Sequence, residues 1–136
     1  MTSGVAVTTL GLARFQAVCL DAADVRVVAD FWATLLGHEV RLHEEGVASL
    51  SGGDGPELWV NPVAEAKSVK NRVHVDVQLI GADPSPVTAL GARVLREPGG
   101  DIHWWVLTDP EGNEFRAFPP EPAAGFDNDA DAEATA

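Results

Sequence analysis

Residues 70–79 read KNRVHVDVQL, and from position 74 every second side chain is polar: His74, Asp76 and Gln78. On an extended chain these three share one face, because successive side chains point to opposite sides. A histidine with a carboxylate two residues on is a candidate general base, since the carboxylate can orient the imidazole toward a substrate. The same histidine could instead ligate a metal, or belong to a polar network on a wet sheet face. His74 and Asp76 are the catalytic candidates.

Three other stretches alternate in the same way. In EFRAF, Phe115 and Ala117 oppose Glu114, Arg116 and Phe118. In ELWVNP, Leu58 and Val60 oppose Glu57, Trp59 and Asn61. In FQAVCL and the residue after it, Val18 and Leu20 oppose Ala17, Cys19 and Asp21. One side of each strand is apolar and suits packing under a helix, as do Val73, Val75, Val77 and Leu79. The mixed side holds the ligand-binding candidates Trp59, Arg116, Glu57, Asn61, Gln78, Glu114, Phe118 and Cys19. Arg116 is a permanently charged donor suited to an anionic group. Trp59 and Phe118 are large aromatics on a polar face, which calls for a partner. Cys19 would need an activating neighbour to be reactive.

These faces need elements to hold them. Residues 24–37 read as a helix, with Val28, Phe31, Trp32, Leu35 and Leu36 on one stripe. Asp21 or Asp24 can cap its start and Gly37 suits its C-terminal end. Before it lies a strand over 15–20; after it, HEVRLHEE, GVASLSG and ELWVNP read as a short-stranded antiparallel meander. The order then starts again: RVHVDVQL, a short helix in DPSPVTALG, then ARVLREP, HWWVLTD and EFRAF. Each helix ends in Leu-Gly (Leu36-Gly37, Leu90-Gly91), and GPEL and GNEF open the two final strands. The chain is a two-fold repeat of β-α-β-β-β, with modules at 13–62 and 72–119, a linker at 63–71 and a lead at 1–12. Trp104 and Trp105 are adjacent and must face opposite ways, in an order that alternation alone leaves open. His38 and His43 read as surface residues, His103 as a pocket-mouth residue, and Lys67, Lys70 and Arg72 as a solvated linker.

A chain of 136 residues suits a single domain with a real core. Its formal charge of −12 argues against nucleic acid, which needs a basic footprint. Residues 120–136 carry five acids and no base and read as a disordered acidic tail. No apolar run is long enough to cross a bilayer. The opening MTSGVAVTTL lacks the basic flank of a secretory signal, and a single cysteine suits a reducing compartment, so a cytoplasmic location is expected.

The phrases ADFWATLLGHEV, KNRVHVDV, LGARVLREP and DPEGNEF resemble the vicinal-oxygen-chelate superfamily, in its glyoxalase-like and bleomycin-resistance branch. The resemblance spans residues 13–119. It implies an α+β fold whose two βαβββ modules form one curled mixed sheet, an open cup with helices on the convex side, and a homodimer. Its metal-dependent members place ligands at four related positions, which map to Ala17, Trp59, His74 and Arg116, where Arg116 replaces the usual glutamate. That departure implies no metal and no cofactor here. The resemblance implies a protein that binds a small molecule and sequesters a drug or metabolite. The alternative is a glyoxalase-type lyase or isomerase using a metal or a His74-centred base. A small-molecule ligand and a second copy are the expected partners, with no nucleic acid and no membrane.

Overall fold

The computed structural model describes residues 4–7 and 11–120. The expected acidic tail lies, but for Pro120, outside the described residues.

Strand β1 (Val18–Ala22) leads into helix α1 (Val25–Leu36). The strand starts three residues later than the alternation predicts, and Phe15, expected within it, is largely exposed. Asp24 rather than Asp21 caps the helix, its side chain accepting from the Val27 N–H. Gly37 closes the helix at φ 76, a left-handed conformation that glycine adopts without steric cost. Strands β2 (Glu39–Leu42), β3 (Ala48–Ser51) and β4 (Leu58–Pro62) run antiparallel, and β1 joins β4 in parallel. Tight turns link the antiparallel neighbours, whereas a parallel neighbour needs a crossover, which α1 begins.

The second module repeats this plan with β5 (Asp76–Gln78), α2 (Ser85–Thr88), β6 (Arg93–Arg96), β7 (Trp105–Thr108) and β8 (Glu114–Phe118). The strand orders are β1-β4-β3-β2 and β5-β8-β7-β6, two α+β modules of identical topology. Cys19 pairs with Trp59 in one module and Asp76 with Arg116 in the other. The register therefore sets Trp59 and Arg116 at equivalent places, as the alignment of GPELW with GNEFR predicts.

Both modules share one core. The α1 stripe buries Val28, Phe31 and Trp32 with Leu50, Leu58 and Val60 of the first sheet. The rings of Phe31 and Trp32 also meet Phe115 of β8 edge-on, at centroid distances of 6.0 and 5.0 Å. Val77, Leu79 and Ala117 complete the inward side of the second sheet.

Three expectations need correction. The strands form two separate open sheets, not one curled sheet, because a cavity parts the β1 and β5 edges that would have to meet. Val73 is 83% exposed and not helix-facing. The chain joins β8 only from Val75 onward, after Asn71 has been drawn to Glu114 by its backbone N–H. His38 is buried rather than on the surface, with its Nδ1 accepting from the Gly53 N–H at 3.1 Å. Among the described residues no helix is long and apolar enough to cross a membrane.

Candidate functional site

The densest gathering of chemistry-bearing side chains lies on the outward face of the second sheet. Arg116 projects from β8, and its Nε and Nη2 donate to the two oxygens of Asp76 on the paired strand, at 2.8 and 2.6 Å. A bidentate fork of this kind fixes the plane of the guanidinium. Its carbon sits 5.3 Å from the Trp104 ring centre and 5.4 Å from that of Phe118, within cation–π range of both. The two rings lie 5.5 Å apart and tilted, and the His103 ring meets Trp104 nearly edge-on at 5.2 Å. The hydrogen bonds to Asp76 outweigh partial burial and raise the Arg116 pKa above its already high value, so it is cationic throughout the ordinary pH range.

Sequence parity contained part of this cluster. Val106 pairs with Arg116 across β7 and β8, so Trp104, two residues before Val106, falls on the Arg116 face. Trp105 packs against the core instead. This settles the order of the tryptophan pair. His103 joins the cluster through ring contacts that no spacing announces.

His74 is partnered by Lys70 and Asp76 by Arg116. The His74 Nε2 is 3.0 Å from the Lys70 ammonium, which can only donate, so this nitrogen accepts and Nδ1 carries the proton. The Asp76 carboxylate meanwhile is occupied by Arg116. Gln78 follows on β5 opposite Phe118.

Glu114 is tied into the linker. Its carboxylate accepts from Lys67 Nζ at 2.8 Å and from the Asn71 N–H at 2.9 Å, while Asn71 Oδ1 accepts from the Glu114 N–H. Burial pushes the Glu114 carboxyl up, but these donors outweigh it and hold the pKa below its ordinary value. Lys67, expected as a solvated linker residue, is mostly buried in this ion pair.

The first sheet carries a second, smaller group. Trp59 stacks on His43 at 4.9 Å and 15°, and His43 Nε2 lies 2.8 Å from the Ser49 hydroxyl. Arg41, Ser49, Trp59 and Cys19 pair in turn across the four strands. His43, two residues beyond Arg41, shares their face by alternation, a signal the sequence held. Cys19 is exposed at the end of this row, Asn61 pairs with Asp21, and Glu57 is exposed just before β4.

A metal does not fit the four positions that the resemblance assigns to ligands. Ala17 and Trp59 offer no donor, Arg116 places a cation there, and the one available imidazole nitrogen of His74 faces an ammonium. Among the described residues no three His, Cys, Asp or Glu side chains converge as a ligand set.

A family model described as a glyoxalase-like domain matches residues 17–118. The chain belongs to this glyoxalase-like domain family. A comparison with curated proteins finds no match. Among solved structures, a glyoxalase/bleomycin resistance protein/dioxygenase from Nocardioides is 20% identical with a TM-score of 0.60, covering 87% of this chain and 89% of that one. A relative of the same triple description from Burkholderia phytofirmans is 18% identical with a TM-score of 0.59, covering 76% and 96%. The genomically encoded fosfomycin resistance protein FosX of Listeria monocytogenes, in a complex with Mn(II) and a dihydroxypropylphosphonic acid, is 11% identical. Its TM-score is 0.62 and the coverage 79% and 90%. At such identities the likeness shows the glyoxalase-like fold, of the vicinal-oxygen-chelate type, and that fold hosts many chemistries.

Proposed function

We propose that this glyoxalase-like protein binds and sequesters a small aromatic molecule bearing an anionic or strongly accepting group, without a metal. The observation that carries this reading is the Arg116 guanidinium, clamped by Asp76 and set against the rings of Trp104 and Phe118. Asp76 takes Nε and Nη2, which leaves Nη1 for a ligand oxygen; the half-buried Phe118 ring offers a surface for stacking, while the buried Trp104 ring backs the guanidinium. A prefixed guanidinium loses little freedom on binding, which favours affinity. That a fold neighbour holds a phosphonic acid is consistent with an anionic ligand in a protein of this shape.

The geometry favours binding over a His74-centred base. Asp76 is committed to Arg116 rather than to His74, and a general base needs a partner to orient it. Calorimetric titration of the metal-free protein with 2-naphthoate and the neutral 2-naphthamide tests the proposal. Saturable binding of the acid, lost in Arg116→Ala, supports it. Indifference to that substitution, or binding only after Zn(II), Ni(II) or Mn(II) is added, rejects it.

A further inference from the structure

The cavity that parts the two modules lies on the inward side of the strands, and of the Arg116 cluster only Asp76 reaches its lining. Its volume is about 970 Å³, at the upper end of the range for small-molecule sites. Leu35 and Leu36 of α1, Leu58 of β4, and Val87 and Leu90 around α2 form its apolar walls. Residues 75–79 also line it without a break, which a strand can do only by presenting its edge. The Val75 carbonyl and the Leu79 N–H both bond to β8. Backbone groups alternate sides along a strand, so those of Asp76 and Gln78 point away from β8 and into the cavity.

The charge of the lining has one sign. Asp54 and Asp83 line it with acidic side chains, Asp76 lines it from the strand edge, and among the described residues no lysine, arginine or histidine lines the cavity. Asp76 is neutralised by Arg116, which leaves Asp54 and Asp83. Hydrogen bonding to Ser85 holds the Asp83 carboxyl below its ordinary range, so it stays ionised at neutral pH. The last turn of α1 adds the negative end of its dipole.

We infer that this intermodule cavity is a binding site for an amphipathic organic cation, an alkyl- or arylammonium with its body on the leucine walls and its head on Asp54 and Asp83. The site borders the proposed Arg116 face at Asp76 and takes ligands of the opposite charge.

The test is calorimetric titration of the full chain carrying Arg116→Ala, so that the proposed anion site does not report, with a matched pair, 4-phenylbutylammonium and 4-phenylbutyrate. The amine should bind at one per chain, and the acid at least about tenfold more weakly, since like charges repel across a shared contact. The double variant Asp54→Asn, Asp83→Asn should weaken the amine about tenfold; asparagine at 83 keeps an acceptor for the Ser85 N–H. Leu90→Trp, at a partly exposed wall position, should narrow the cavity along its apolar wall and weaken the amine with little change in melting temperature. Equal binding of amine and acid, amine binding untouched by either variant, or no binding of the amine at all overturns the inference. A chain that binds no amine and migrates as a dimer would assign the cavity to a second copy instead.

Discussion

Trp32 and Asp109 stand 77 positions apart and join the two modules through a buried hydrogen bond, indole Nε1 to Oδ2 at 2.9 Å. Asp109 is almost fully buried and also accepts from the Glu111 N–H, the Asn113 N–H and Asn113 Nδ2. The turn it organises places the Glu111 carboxylate on the Ala23 and Asp24 N–H groups at the start of α1. One aspartate thus orders the β7–β8 turn, anchors the helix side chain and positions a second carboxylate at the helix N-terminus, where negative charge is favoured.

Trp32→Phe should keep much of the ring packing on Phe115 yet leave Asp109 one donor short. The expected loss is about 1–3 kcal/mol in urea denaturation, the penalty of an underbonded buried acceptor. Asp109→Ala should cost more, because it strips the turn as well. A Trp32→Phe variant as stable as the parent would show that water replaces the indole.

The repeat, α1 with its glycine stop, and the inward faces of four strands were legible in the sequence, because periodicity and turn chemistry are local. The partners were not. Asp24 and Asp21 both looked able to cap α1, and Glu111, 87 residues beyond Asp24, also caps it. His38 sits after a helix in a polar-looking run, and only the docking of the β3–β4 turn buries it. The missing curl is of the same kind, since alternation within a strand says nothing about which edges meet.

Gly53 marks that docking. A Cβ there would lie 2.5 Å from both the Gly37 carbonyl carbon and the Leu36 oxygen, closer than real contacts allow. Gly53→Ala should push the turn off the end of α1, breaking the bonds from the Gly53 and Asp54 N–H groups to His38 Nδ1 and the Leu36 carbonyl. A loss of about 3 kcal/mol is expected, at the upper end for overpacking. Gly81→Ala, with open space around its Cβ, is the control and should be nearly neutral. Equal melting of the two variants would reject the close approach.

Glu114 predicts an acid-side weakness. Its folded pKa lies below the ordinary 4.5, despite burial, through Asn71 and Lys67. The stabilisation it gives is complete above that ordinary value and is lost as pH falls through the lower folded one, because the unfolded state takes up the proton first. Melting temperatures between neutral pH and about 3 should fall more steeply in the parent than in Glu114→Gln. Lys67→Met should flatten the fall in part, having removed one of the two donors. Identical profiles for parent and Glu114→Gln would show that other acids govern this range.

Asp76 and Val77 are neighbours in sequence and opposites in exposure: the carboxylate faces outward with Arg116, and Val77 is buried in the shared core. A one-residue step crosses the sheet, so the two positions should fail in different ways. Val77→Ala removes two buried methyl groups and should cost about 1.5 kcal/mol of stability while leaving 2-naphthoate affinity unchanged. Arg116→Ala should cost under about 1 kcal/mol of stability, because the pair is partly exposed and screened by solvent. It should weaken 2-naphthoate by about 1.5–3 kcal/mol, the range for a hydrogen bond to a charged group. Arg116→Lys keeps the charge but loses the planar fork that Asp76 clamps, and should restore little of the affinity. Thermal melting and calorimetric titration on the same four proteins separate the effects. If Val77 controlled binding while Arg116 controlled only melting, the ligand would sit among the inward side chains, and the outward face of the second sheet would be solvent-exposed scaffold.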